Sequence, residues 1–318
     1  MSAAGPIPVR VAAIETVSPF IKTFTLEPLD GGLLPAFSGG SHVVVTMQGR
    51  GKNHRNPYSL MSSPYERRFY QISVRREDDG RGGSKFLHGN VRVGDELAVS
   101  PPANLFALNE LGRRHILIAG GIGITPFLSQ LYELREQGSD YALHYAYRRA
   151  DDTAFLDRLA AEHGERAHCY ESSQGHYVEP GRILADQPLG THVYVCGPEG
   201  LIDTVVTRAR RLGWPESHIH AEEFAAPPSG KPFTVVLDKS GDELEIGPDD
   251  TVLDVLEDNG YAPDCSCRGG VCGECETAVI AGEIEHHDDY LSEEVKREHS
   301  RMMICVSRAA SERVVLDL

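Results

Sequence analysis

Four cysteines near the end of the chain constrain it most. Cys267, Cys272 and Cys275 stand in a Cys-x4-Cys-x2-Cys run, and 29 residues separate Cys275 from Cys305. This is the ligand spacing of a plant-type [2Fe–2S] cluster. A loop that wraps a cluster must turn backbone N–H groups toward sulfur. Gly269, Gly270 and Gly273 interleave with the ligands, and glycine permits the positive φ that such a wrap needs. A zinc site is the alternative, but zinc modules usually show two short Cys/His pairs rather than one tight trio and a distant fourth. Cys265 is spare and reads as a small neighbour of the cluster. A [2Fe–2S] cluster moves one electron and cannot take a hydride, so the remaining sequence should say where the electrons come from.

A chain of 318 residues suggests two or three domains. No apolar run approaches the ~20 residues that span a bilayer, and the first ten residues lack the apolar centre of a signal peptide. Seven cysteines without a paired framework fit a reducing compartment, so the expected location is cytoplasmic, with no membrane partner. The net charge of −16 argues against nucleic acid. That charge is uneven. Residues 231–318 hold 8 Lys+Arg against 21 Asp+Glu, a net of −13, which leaves −3 for residues 1–230. An acidic tail keeps a protein soluble, and it also offers a docking face to a basic partner.

Three regions differ in pattern. Residues 1–106 alternate apolar and polar positions between glycine turns. Strands are expected at Val9–Ile14, Ile21–Leu26, His42–Met47, Tyr70–Arg75 and Glu96–Ser100, forming a small antiparallel β-barrel. Residues 107–226 alternate strands with helices. His115–Ala119, Ala142–Tyr147 and His192–Cys196 are strands, and helices follow near 126–137, 154–163 and 200–211. The expectation is an α/β domain with a parallel sheet. Ala225–Gly230 reads as a linker. In residues 227–318 a hairpin of Phe233–Leu237 and Glu243–Ile246 precedes a helix at Thr251–Asn259. Beyond the cysteine loop, Glu276–Ala281 and Arg313–Leu316 are strands.

Gly120, Gly121 and Gly123 sit where a strand turns into a helix, a place that brings backbone amides close to a diphosphate. A plain tight turn is the alternative. Tyr194-Val195-Cys196-Gly197-Pro198 ends a buried strand, and the crevice at such ends binds ligands. Cys196 would then face the crevice, or else be a small buried thiol. Arg55-Asn56-Pro57-Tyr58-Ser59, with Gly82-Gly83-Ser84 downstream, could hold a phosphate and a ring system.

Together these motifs resemble the phthalate dioxygenase reductase family across essentially the whole chain. The resemblance implies a flavin-binding antiparallel β-barrel, a nicotinamide-binding α/β domain and an α+β β-grasp ferredoxin domain, in this order. It implies FMN held by Arg55, Asn56, Tyr58 and Ser59, by Ser73, Val74 and Arg75 on a strand, and by the turn Gly82-Gly83-Ser84, with Thr125 and Phe224 near the ring. Pro57 shifts the pattern: strict register puts Asn56 at the family's arginine position, and a bulge would return Arg55 to the phosphate. NADH would lie on Gly120, Gly121, Gly123, Arg148, Gly197 and Pro198, with Cys196 near the nicotinamide. No side-chain acid, base or nucleophile is required. Asp151 and Asp152 favour NADH over NADPH, while Arg148 and Arg149 pull the other way. The implied acceptor is the terminal Rieske non-haem iron oxygenase of a two-component system. The rival readings are an FAD reductase with another acceptor, a zinc-stabilised binding module and a redox sensor.

Overall fold

The structure is a computed structural model that describes residues 5–49, 53–224 and 226–318. The chain divides into two compact units, the first of residues 1–49 and 56–224, the second of residues 50–55 and 225–318.

The first unit holds two sheets, each with its own core. Strands β1 (Ile7–Ser18), β2 (Ile21–Pro28), β3 (His42–Gln48), β4 (Asn53–Ser59) and β5 (Tyr70–Arg75) come first. The short helix α1 (Gly83–Gly89) and β6 (Glu96–Val99) follow. They form a six-stranded sheet in the order β4-β3-β6-β1-β2-β5. Just past β4, the Met61 N–H donates to the Gln71 carbonyl at 2.9 Å, which draws the two edges of the sheet together. Alternate residues of β1, β2 and β5 point inward: Val9, Val11, Phe24, Leu26, Tyr70 and Ile72 fill the centre. The sequence reading missed β4. Its Pro57 cannot donate to a ladder, which confines such a strand to an edge, and β4 is the terminal strand of its sheet.

The second sheet is parallel throughout. In chain order come β7 (Arg114–Gly120), α2 (Thr125–Glu136), β8 (Asp140–Tyr147), α3 (Leu156–His163), β9 (Ala167–Glu171), α4 (Pro180–Ile183), β10 (Thr191–Cys196), α5 (Glu199–Arg211) and β11 (Ile219–Glu222). The strand order is β11-β10-β7-β8-β9. β7, β8 and β10 are almost continuously buried, as strands covered by helices on both faces must be. One face packs Phe127, Leu131, Leu143 and Tyr194, and the other Ile116, Val193, Val205 and Leu184. The chain leaves β7 toward β8 on one side and returns to β10 on the other. The order therefore reverses between β7 and β10, where α/β sheets bind ligands beyond the strand ends.

The second unit is a mixed sheet crossed by one helix. β12 (Phe233–Leu237), β13 (Glu243–Ile246), α6 (Val252–Asp258), β14 (Glu276–Ala281), β15 (Ile284–Glu285), α7 (Glu293–Glu298), β16 (Arg301–Met303), β17 (Arg308–Ala309) and β18 (Arg313–Leu316) follow in order. The sheet runs β13-β12-β18-β14-β16, with β12 and β18 parallel and the other pairs antiparallel. Thr251 caps α6 by accepting from the Asp254 N–H at 3.0 Å, and Leu253 and Leu256 bury the helix against Val235, Met302 and Val314. This is the β-grasp plan expected from the sequence. Of the expected linker, Ala225 lies outside the described residues. Among the described residues no helix is long and apolar enough to cross a membrane.

Candidate redox sites

The cysteine loop of the second unit is built by backbone geometry. Arg268, Gly270 and Gly273 all take the left-handed conformation, at φ +52°, +76° and +82°. A Cβ at Gly270 would stand 2.6 Å from Val306 Cγ2, and one at Gly273 would stand 2.3 Å from the Tyr290 ring. A side chain at either position would force its neighbour to shift, and the left-handed φ strains any residue but glycine there.

The wrap brings the four sulfurs together. Cys305 lies within electrostatic reach of both Cys267 and Cys275, and Cys272 of Cys267. Cys267 is drawn toward the thiolate, first by the Cys305 thiol and then by the backbone N–H groups of Gly269, at 3.3 Å, and Val271. Cys275 is drawn the same way, again chiefly by Cys305. Cys305 is pushed the other way by these two neighbours. Cys267, Cys275 and Cys305 are buried. Among the described residues no set of three or more His, Cys, Asp or Glu side chains forms a ready-made site for a metal ion. A two-iron cluster shares its four thiolates between two irons, and this cradle of four neighbouring sulfurs with N–H donors aimed at them suits that group. Cys265 stands apart, 3.6 Å from the Arg268 guanidinium and pushed up to about 11 by burial.

Arg268 ties this loop to α6. It is only 8% exposed and meets Asp254 Oδ1 at 2.8 Å and Glu257 Oε1 at 2.9 Å. Glu257 also accepts from Arg55 Nε at 3.2 Å, and Asp258 Oδ1 lies 2.8 Å from Arg55 Nη2. Arg55 was expected on a flavin phosphate. In the structure Arg55 belongs to the second unit and pairs with carboxylates of that same unit.

On the first unit, Asn56 points toward the glycine turn. A Cβ on Gly83 would collide with Asn56 Oδ1 at 2.2 Å, and Gly82 sits at φ +101°. Asn56, Gly82 and Gly83 thus come together. The Ser84 hydroxyl accepts from the Glu77 N–H at 3.1 Å. Tyr58 is half-buried on the same strand and its phenol is pushed upward by desolvation. Ser59 is buried. The Ser73 hydroxyl is 2.6 Å from Thr23 Oγ1, so it faces inward, while the backbone of Val74 accepts from His88 Nε2 at 2.8 Å. The Arg75 side chain pairs with Glu77 at 3.1 Å. Phe224 is 48% exposed.

Where the parallel sheet reverses, two loops interlock through glycine. A Cβ on Gly123 would meet the Cys196 carbonyl oxygen at 2.4 Å, and one on Gly120 the Pro198 ring at 2.7 Å. A Cβ on Gly197 would meet Gly120 Cα at 2.9 Å. Gly121 takes φ +56° with open space beside it. The Thr125 hydroxyl donates to the Ile122 carbonyl at 3.0 Å, closing the turn into α2. Cys196 is fully buried, and burial raises its thiol well above the ordinary range. Opposite it in register on β11 lies Glu222, which the sequence reading missed. Its Oε2 is buried without a partner among the described residues, and desolvation lifts it to about 8. β11 is only four residues long and half-buried, so neither its period nor its composition announced it.

Beyond β8 and β9 a cavity of about 470 Å³ is lined by Arg149, Asp151, Glu171, Ser173 and Gln174. Arg149 is bidentate to Asp151 at 3.0 and 2.8 Å. Arg148 is exposed just before it, and its carbonyl accepts from the Ser173 N–H at 3.0 Å.

Fold and sites together define a modular electron-transfer reductase that ends in an iron–sulfur domain. Residues 235–310 match the 2Fe-2S iron-sulfur cluster binding domain, and residues 96–219 match the dimethylamine monooxygenase subunit DmmA-like N-terminal domain. The chain is 48% identical to the carnitine monooxygenase reductase subunit of Escherichia coli strain K12, over 98% of each. It is 44% identical to the heme-dependent oxidative N-demethylase beta subunit of Ectopseudomonas mendocina, again over 98% of each. The solved structure of phthalate dioxygenase reductase, which moves electrons from pyridine nucleotides to [2Fe-2S], superposes with a TM-score of 0.87 at 35% identity, covering 99% of this chain and 98% of that one. The chain belongs to the phthalate dioxygenase reductase family.

Proposed function

We propose that this chain works in the cytoplasm and passes electrons from NADH through FMN and a [2Fe–2S] cluster to a separate terminal oxygenase. When bound, the flavin exchanges a hydride for single electrons and the cluster relays them one at a time. The protein's own part is to bind, order and shield. Cys267, Cys272, Cys275 and Cys305 hold the iron, with N–H groups of the loop donating to sulfur. Asn56, Tyr58, Ser59, Gly82, Gly83 and Ser84 hold the flavin. Gly120, Gly123 and Gly197 let the two loops pack main chain to main chain, and with Pro198 they would bring backbone groups up to the nucleotide. Cys196 and Glu222 border this crevice, and Glu222 near pH 7 keeps its proton at a buried oxygen.

The cradle of four neighbouring thiols carries the reading. The cavity beyond β8 and β9 supports NADH over NADPH. Its lining includes the carboxylates of Asp151 and Glu171, and Arg149 is already neutralised by Asp151. A 2′-phosphate would meet net negative charge there, whereas a ribose hydroxyl could donate to a carboxylate.

The acceptor is proposed to be a Rieske-type oxygenase acting on a methylated amine. Carnitine is a quaternary amine, and the carnitine, N-demethylase and dimethylamine relatives all point to that substrate class. Anaerobic titration with each nucleotide, followed by visible absorption, tests the donor. NADH should bleach both flavin and cluster bands at low concentration and NADPH only weakly. Equal response to the two would contradict the donor assignment. Mass analysis of the released flavin decides FMN against FAD.

A further inference from the structure

Inside the first unit, α2 begins at the glycine loop and runs beside the segment that precedes β3, and polar groups join the two. Thr125, Ser129 and Glu133 stand four residues apart on α2, so they line one face of it. The Ser129 hydroxyl accepts from the Gly40 N–H at 3.0 Å, and Glu133 Oε1 accepts from the Gly39 N–H at 2.7 Å. Ser129 is fully buried and both glycines are buried. The contact has no slack. A Cβ on Gly39 would stand 2.7 Å from Gln130 Cα. One on Gly40 would stand 2.4 Å from the Phe106 carbonyl oxygen, which accepts from Gln130 Nε2 at 2.5 Å. The next residue, Ser41, accepts at its carbonyl from the Leu60 N–H at 2.8 Å, directly past Tyr58 and Ser59. A continuous path therefore leads from Gly120–Gly123 down α2, across Gly39-Gly40-Ser41, and into the end of β4. It joins the loop proposed to meet the nucleotide to the strand proposed to bear the flavin.

We propose that Ser129 and Glu133 are positioning residues for hydride transfer: by clamping α2 onto Gly39 and Gly40 they set how far the nucleotide loop stands from the flavin-bearing strand. This inference rests on the reductase reading above. The step moves one hydride, a proton with two electrons, from nicotinamide to flavin, leaving NAD+ and the two-electron-reduced flavin. Its rate depends steeply on the separation of donor and acceptor, so a misplacement of about 1 Å can cost on the order of a hundredfold. Hydrogen bonds are directional, so a carboxylate and a hydroxyl on two successive backbone N–H groups fix the helix more closely than apolar packing alone.

Anaerobic stopped-flow reduction of the full-length holoprotein, read at the flavin band over a range of NADH concentrations, separates binding from transfer. Ser129→Ala/Glu133→Ala should lower the limiting rate by about tenfold, with the half-saturating NADH concentration and the flavin and iron contents unchanged. Glu133→Gln keeps an oxygen acceptor for the Gly39 N–H and should recover most of the rate lost in Glu133→Ala. Gly39→Ala removes no hydrogen-bonding group, but its methyl wedges against the α2 backbone and should slow transfer in the same way. Amide hydrogen exchange over residues 38–41, measured without nucleotide, should quicken in the Ser129 and Glu133 alanine variants and stay slow in Glu133→Gln. An unchanged limiting rate in both the double variant and Gly39→Ala would overturn the proposal, whether or not exchange quickens. A rise in the half-saturating concentration alone would overturn it too, since the clamp would then serve binding rather than transfer. So would equal losses in Glu133→Gln and Glu133→Ala. Wild-type flavin that neither NADH nor NADPH reduces would instead overturn the reductase reading.

Discussion

At the scale of single residues, space and desolvation decide more than residue type. A methyl group at Gly273 would have to displace the half-exposed Tyr290 ring, and its φ of +82° strains any other residue. Gly273→Ala should therefore cost roughly 2 kcal/mol or more and empty the cysteine loop. Visible absorbance and thermal melting of the purified variant check this; a fully loaded variant with an unchanged melting temperature would contradict it. Glu222 makes a prediction of the opposite kind. Its folded value near 8 lies above the ordinary 4.5, so burial favours the protonated form. Its contribution to stability is complete below pH 4.5 and is lost as pH rises through 8. Glu222→Gln should remove that loss. Between pH 5.5 and 8.5 the variant should gain on wild type by on the order of 3 kcal/mol in urea unfolding. A constant difference across that range would show that Glu222 does not keep its proton.

At the scale of elements, the parallel sheet carries a row of aromatic nitrogen rings. His192 on β10 stacks on His218 at 4.1 Å, and its Nδ1 lies 3.0 Å from His220 Nε2 on β11. His115 on β7 stacks on the other side at 6.4 Å. Burial first, then the neighbouring His218 and His220, lower His192 from 6.5 to about 4. Its contribution to stability is therefore present above pH 6.5 and lost as pH falls toward 4. Urea midpoints of wild type should drop more between pH 7.5 and 5 than those of His192→Gln, and parallel curves would contradict the assignment.

The elements also show what could be read in advance. β7, β8 and β10 were legible because strands covered on both faces become continuous apolar runs. The cysteine loop was legible because its ligands are local in sequence. β4 was hidden by Pro57, since a strand tolerates proline only at an edge and edge position is a tertiary fact. β9 and β11 were hidden because each is short and only partly buried. The fate of Arg55 was hidden for the same reason as that of Glu222: the partner, or the lack of one, comes from residues far away in sequence.

At the scale of the whole molecule, the division of labour follows from what each core can build. The antiparallel sheet of the first unit offers a glycine turn beside Asn56, and the parallel sheet offers an interlocked pair of glycine loops. The second unit offers four neighbouring sulfurs in a strained wrap pinned by Arg268. Charge is divided too, with the cysteine-bearing region holding 21 of the 47 acidic residues and only 8 of the 31 basic ones. That asymmetry suits a donor whose outer face meets a basic protein.

The central claim is that the four thiols hold a two-iron cluster, and analysis of iron and acid-labile sulfide in anaerobically purified protein tests it most directly. The account predicts about two irons and two sulfides per chain, both lost in Cys275→Ser. Well-folded wild-type protein holding neither, or holding zinc in their place, would contradict it.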